Sequence, residues 1–127
     1  MTLLIVGAGG ALGAVSRYVV TGWVQGLTAE SFPWGTLLVN VGGSLALGFT
    51  LVWIQSTVSS TDLRQFITIG FLVSFTTFST FSYEVVALLR DREWWQAGGY
   101  VTGSVAFSLV AVVIGMAMAS ALAQART

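Results

Sequence analysis

The chain has 127 residues, of which 55% are hydrophobic and only 8% are charged. A soluble domain would carry about 25% charged residues, so the composition predicts an integral membrane protein. The five arginines and five acids cancel to zero net charge, which excludes a basic nucleic-acid-binding surface, and the lack of Cys and His excludes disulfides and the usual zinc sites.

Four apolar segments follow one another, each near the roughly 20 residues that span a bilayer. They cover about residues 3–24, 35–54, 66–89 and 97–122. Tryptophans stand near the segment ends, where amphipathic rings prefer the headgroup level of a membrane: Trp34, Trp53, Trp94 and Trp95. The pattern predicts one all-α, multi-pass transmembrane domain without a soluble module, and the first segment as a retained helix rather than a cleaved signal.

The arginines of the short connections are divided almost evenly between the two sides of the predicted bundle. Arg64 and Arg126 fall on one side, and Arg90 and Arg92 on the other. Because a cationic bias normally sets orientation, this balance favours insertion either way, unless cues other than charge orient the chain. Two copies in opposite orientations would form an antiparallel two-fold dimer. Three small-residue pairs would allow close helix contacts: Gly9/Gly13, Gly22/Gly26 and Gly99/Gly103.

Two polar residues interrupt the first two segments. Arg17 is costly in lipid, so we expect it either to face a vestibule, where it would concentrate anions, or to snorkel to the membrane edge as an anchor. Asn40 lies about a turn and a half inside the second segment, which Pro33 begins. Its amide would either offer N–H groups to an anion or bond to a neighbouring helix.

The third segment carries six hydroxyl side chains within nine residues: Ser74, Thr76, Thr77, Ser79, Thr80 and Ser82. Clustered hydroxyls in a membrane indicate a bundle interior, a break in the helix or a polar path, and because such side chains bond to backbone carbonyls and bend helices, a break would fall near residues 73–76. Phe78 and Phe81 lie three positions apart on one face, so their positive ring edges would meet a dehydrated anion. The alternative is aromatic packing with the hydroxyls as interhelical contacts. Glu84 would be a structural partner of an arginine or a hydroxyl network, which is the interpretation we favour, or a gate charge.

The fourth segment has one narrow stripe of small or hydroxylated side chains: Tyr100, Ser104, Ser108, Ala111 and Gly115. Their spacing of three or four residues places them on one helix face. The stripe indicates either a tight helix–helix seam or a hydroxyl ladder along a conduction path.

Three blocks carry a resemblance to a known family: GAGGALGAVSRY, FPWGTLLVNVGGS and GFLVSFTTFSTFSYE. Over nearly its whole length the chain resembles the Fluc (CrcB) fluoride channels. The resemblance implies four helices with the third broken in the membrane, in an antiparallel, dual-topology homodimer. It also implies two fluoride pores, a sodium ion at the centre of the dimer interface, and passive fluoride export across the cytoplasmic (inner) membrane.

The same resemblance assigns roles to individual residues. Phe78 and Phe81 look like the pore phenylalanines, with Asn40 as the pore amide and Arg17 as the vestibule arginine. The hydroxyl-bearing side chains expected along the pore are Thr77, Ser79, Thr80, Tyr100, Ser104 and Ser108. The backbone carbonyls of Val73 and Thr76 correspond to the sodium ligands. The family usually has glycines where this chain has Val73 and Ser74, which leaves a heterodimer with a related subunit open.

The expected activity is a fluoride-selective channel, not an enzyme. A small multidrug exporter would need an acidic residue in the first helix, and none is present. An accessory subunit of a larger membrane channel complex is the other alternative, because the hydroxyl stripes would then be only packing seams.

Overall fold

The computed structural model describes residues 1–127, and all of its regular structure is helical. Four helices are long and apolar enough to cross a membrane: Thr2–Gly26, Trp34–Thr57, Thr61–Arg90 and Trp94–Ala125. This confirms the predicted all-helical fold with four apolar spans.

Three spans are continuous helices and the third is composite. The continuous ones are α1 (Thr2–Gly26), α2 (Trp34–Thr57) and α6 (Trp94–Ala125). The third span contains α3 (Thr61–Gln65), a π-helical segment (Phe66–Leu72), α4 (Val73–Phe75) and α5 (Ser79–Arg90). The side chain of Ser60 caps α3 by accepting from the Leu63 N–H at 3.3 Å.

The π-helical segment packs against α1 with almost no side chain between the two backbones. A Cβ on Gly9 would lie 2.6 Å from the Phe66 carbonyl oxygen, and one on Gly13 would collide with the Phe71 carbonyl. The small-residue pair Gly9/Gly13 therefore allows the third span to pack directly against the backbone of α1. Gly22, Gly26 and Gly99 have open space around them within the chain, and Gly103 meets only the Phe107 ring.

Helices α2 and α6 form the most extensive helix contact in the chain. A Cβ on Gly48 would collide with the Val112 carbonyl, and one on Gly115 with the Leu45 carbonyl. Three residues of the predicted stripe are buried, Ser104, Ala111 and Gly115, and Gly115 lies in this contact. The Gly115 end of the predicted stripe is thus a packing seam.

Few side chains are buried, because the bundle presents its apolar surface outward. Only 20 of the 127 residues are buried, and large side chains such as Trp95 and Phe107 are exposed. A hydrocarbon environment, rather than a large internal core, accommodates this composition.

Gly115→Ala should destabilise the protein by roughly 1–3 kcal/mol, because the new methyl group would force α2 away from α6. Thermal unfolding in detergent measures the change. Gly98→Ala, on the same helix but in open space, is the matched control and should change stability by no more than about 0.5 kcal/mol. Equal midpoints for the two variants would contradict the proposed backbone contact.

Candidate functional site

Helical structure is interrupted between α4 and α5, at residues 76–78. Thr76 adopts an extended backbone with φ −80° and ψ 157°. The carbonyl of Thr76 accepts no hydrogen bond, and the N–H of Phe78 donates none. Such free groups are tolerated at membrane depth only where protein or a polar cavity surrounds them, so the interruption marks a candidate site.

Asn40 on α2 holds this interruption with two reciprocal hydrogen bonds. Its Nδ2 donates to the Thr77 carbonyl at 2.9 Å, and the Thr77 N–H donates to Oδ1 at 2.7 Å. The Thr77 N–H is the group that a continuous helix would direct to the Val73 carbonyl. Asn40 therefore bonds to a neighbouring span, which is one of the two roles that the sequence left open. One of its amide hydrogens remains for a further partner.

The hydroxyls near the break bond mainly to the backbone around it. Thr77 Oγ1 accepts from the Thr80 N–H at 3.2 Å and lies 3.3 Å from Ser79 Oγ. Ser82 Oγ donates to the Phe78 carbonyl at 2.9 Å. The Thr77 contact substitutes for a helical hydrogen bond and the Ser82 contact adds to one, so part of the hydroxyl run stabilises the break itself.

A groove of about 290 Å³ lies beside the break, between α2 and α6. Its polar lining comprises Asn40, Ser44, Thr76, Thr77, Ser104 and Ser108, and Phe78 and Phe81 contribute rings. Ser104 is only 7% exposed, and its hydroxyl has no protein partner. A buried hydroxyl without a partner costs free energy, so Ser104 is available to a bound ion or water.

The structure thus gathers many of the predicted pore residues and separates others from the groove. Ser79, Thr80 and Tyr100 do not line it. Ser44 was missed from the sequence, although it lies four residues after Asn40 and so shares its helix face.

Aromatic rings extend from the groove toward one end of the bundle. The centroids of Phe78 and Phe81 lie 5.4 Å apart, and Phe81 stacks on Tyr100 at 5.1 Å. Tyr100 in turn meets the edge of Phe32 at 5.5 Å. Phe81 is 8% exposed whereas Phe78 is 77% exposed, so the groove is open on the Phe78 side.

Glu84 joins three helices through its carboxylate. Oε1 accepts from Thr36 Oγ1 at 2.8 Å, and Oε2 accepts from the Tyr100 hydroxyl at 2.7 Å. Glu84 therefore belongs to a hydroxyl network, as the structural interpretation expected. The Tyr100 hydroxyl is directed to this network and not to the groove. Thr36 was missed, although its position four residues before Asn40 places it on the same face of α2.

A second cavity, of about 640 Å³, lies between α1 and the break. Polar side chains of its lining include Arg17, Thr21, Gln25, Thr36, Thr77 and Thr80. Arg17 Nε and Thr21 Oγ1 are buried there without a hydrogen-bond partner. Thr77 lines both cavities, so the break forms the wall between them.

Two backbone carbonyls beside the break have few or no hydrogen-bond donors. The Thr76 carbonyl accepts no hydrogen bond, and the Val73 carbonyl accepts only from the Thr76 hydroxyl, at 3.3 Å. Val73 has φ −67° and ψ −33°, which any residue adopts, so the break does not require glycine there. Carbonyl oxygens suit hard cations, but two of them leave most of a coordination shell to other ligands.

Known proteins resemble this chain along almost its whole length. A sequence model of the family described as "CrcB-like protein, Camphor Resistance (CrcB)" matches residues 4–116. A "Fluoride-specific ion channel FluC" of Geobacter sulfurreducens is 45% identical over 122 residues, covering 95% of this chain and 98% of the relative. A protein of the same name from Opitutus terrae is 47% identical over 116 residues, covering 88% and 87%. The chain is therefore a multi-pass membrane protein that belongs to the CrcB-like family.

Proposed function

We propose that the protein is a fluoride-selective channel through which fluoride leaves the cell passively across the cytoplasmic membrane. The observation that carries this proposal is the groove beside the break, where a partnerless Ser104 hydroxyl and the free amide hydrogen of Asn40 lie beside Phe78 and Phe81. Relatives that are 45% and 47% identical bear the name of fluoride-specific channels, which supports fluoride as the permeant ion.

The chemistry of the groove suits a small anion that has lost its water. Hydroxyl and amide donors replace water hydrogens, and the positive edges of phenyl rings add weak attraction. No charged side chain lines the groove. An anion would therefore be bound without a fixed counter-ion, which keeps release fast enough for conduction.

The larger cavity would serve as the entrance. Arg17 lies there with an unpaired Nε, and a fixed cation raises the local concentration of anions. From this cavity an ion would pass Thr77, the residue common to both linings. Thr80 belongs to the lining of this entrance, whereas Ser79 and Tyr100 then act around the path by supporting the break and the aromatic row.

A second copy in the opposite orientation would complete the pathway, giving two pores in an antiparallel dimer. The open side of the groove supports this assembly, since its polar lining needs a cover within the membrane. The near-even arginine distribution supports dual topology.

A sodium ion would fit between the two copies at the third-helix break. The carbonyls of Val73 and Thr76 from each copy would hold it, and its positive charge would offset the partial charges of these oxygens. A related subunit in place of the second copy would leave the same carbonyls available, because Val73 has ordinary helical angles.

Liposomes that contain only this protein should release fluoride rapidly and retain chloride, as ion-selective electrodes can record in parallel. Phe78→Ala/Phe81→Ala and Asn40→Ala should each slow fluoride release at least about tenfold, which corresponds to losing roughly 1.4 kcal/mol of pathway stabilisation. Phe107→Ala, at an exposed ring on α6, is the matched control and should conduct normally.

Equal release of fluoride and chloride would contradict selectivity. If the protein alone released neither ion, the accessory-subunit interpretation would stand instead.

Replacing sodium by a large organic cation at constant ionic strength should lower the dimer fraction and the thermal midpoint, because the carbonyls would lose their shared ligand. Crosslinking in liposomes and thermal unfolding measure the two quantities. Potassium at the same concentration is the control for ionic strength. A dimer fraction that is independent of the cation would contradict the sodium site.

A further inference from the structure

Gln25, near the end of α1, makes three side-chain hydrogen bonds, which is more than any side chain of the connection between α1 and α2 makes. Its Nε2 donates to the carbonyls of Glu30 at 3.1 Å and Phe32 at 3.0 Å. Its Oε1 accepts from the Gly35 N–H at 3.2 Å. Both amide hydrogens and the oxygen therefore have partners, two in the connection between α1 and α2 and one in the first turn of α2.

We propose that Gln25 is a positioning residue of the ion pathway, which holds Phe32 against Tyr100 and through them fixes the Phe81 ring at the groove. The inference rests on the proposed function, because it assigns to Gln25 an effect on conduction through that groove.

The contact with α2 explains why the amide is needed. Gly35 lies in the first turn of α2, where backbone N–H groups have no helical acceptor. A Cβ at Gly35 would collide with the Thr21 carbonyl, so α1 and α2 touch through backbone at this level. Gln25 spans the gap just beyond this contact and closes the loop of the connection onto α1.

Thr28, directly after α1, also bonds back to it, through the Gln25 carbonyl at 3.2 Å, and the other side chains tie the connection elsewhere. Trp34 Nε1 donates to Glu30 Oε2 at 2.9 Å, and Ser31 Oγ donates to Gln96 Oε1 at 2.9 Å. The first of these bonds fixes the connection to the start of α2, and the second fixes it to α6. Removal of the Gln25 amide would therefore release from α1 the part of the connection that follows Thr28 and contains Phe32.

Phe32 transmits the position of the connection to the groove. Its ring meets Tyr100 edge to face, with centroids 5.5 Å apart and planes at 72°. Tyr100 is fully buried and stacks on Phe81 at 5.1 Å. Phe32 also packs on the buried cluster that contains Phe81 and Tyr100. A shift of Phe32 would open space beside Tyr100 and loosen the Phe81 ring.

Gln25 also lines the larger cavity, so direct contact with an anion is the alternative. Both of its amide hydrogens already have carbonyl acceptors, however, and an anion would meet only the oxygen. Action through Phe32 is therefore the interpretation that the hydrogen bonds favour.

The test compares fluoride efflux from liposomes holding the wild type, Gln25→Met or Gln55→Met. Met has a similar length and no amide, and Gln55 is an exposed residue without a side-chain hydrogen bond, so the same change there is the matched control. Gln25→Met should slow fluoride efflux about fivefold to tenfold and lower the fluoride-to-chloride ratio, and Gln55→Met should change neither. Gln25→Asn, whose amide is one methylene too short, replaces Gln25→Met if that variant does not fold.

A double-mutant cycle with Phe32→Ala separates positioning from a merely structural role. If Gln25 acts through Phe32, the double variant Gln25→Met/Phe32→Ala should conduct no more slowly than Phe32→Ala alone. Multiplied defects, or wild-type efflux in the folded Gln25 variant, would overturn the inference while the channel function stands. A wild type that releases no fluoride would overturn the proposed function and this inference with it.

Discussion

The two hydrogen bonds between the Asn40 amide and the Thr77 backbone allow the helix of the third span to be interrupted within the membrane. An unpaired backbone group in hydrocarbon costs several kcal/mol, so a chain cannot interrupt a helix there without other partners. Asn40 supplies both a donor and an acceptor to the same residue. The free Thr76 carbonyl, the groove and the exposed Phe78 ring all depend on this interruption.

The interruption also presents opposite partial charges on its two sides. The end of α4 leaves carbonyl oxygens without donors, and the start of α5 leaves N–H groups without acceptors. Oxygens suit a cation and N–H groups suit an anion, so one break supports both of the ions proposed here. Side chains alone would need charged residues to achieve this, and the membrane makes such residues costly.

The sequence was sufficient to predict the four apolar spans, because hydropathy is a local property. It was insufficient for contacts that depend on how helices are rotated against one another. Glu84 accepts hydrogen bonds from Thr36 and Tyr100, which lie on two other helices, and no spacing rule predicts these partners. Tyr100 fell on the predicted stripe, yet its hydroxyl is directed to Glu84. The π-helical geometry of the segment that lies against Gly9 and Gly13 also had no sequence signal.

The glycine contacts between α2 and α6 determine which parts of the bundle can move. Where carbonyl oxygens lie directly against a neighbouring backbone at Gly48 and Gly115, one helix cannot slide past the other without a steric clash. These two helices should therefore behave as one rigid body. The third span should be most mobile at the break itself, because the helical hydrogen bonds are interrupted there, whereas its π-helical segment is held against α1 at Gly9 and Gly13. The mobile wall of the groove would then be the segment that carries Thr77 and Phe78, opposite a stiff wall formed by α2 and α6.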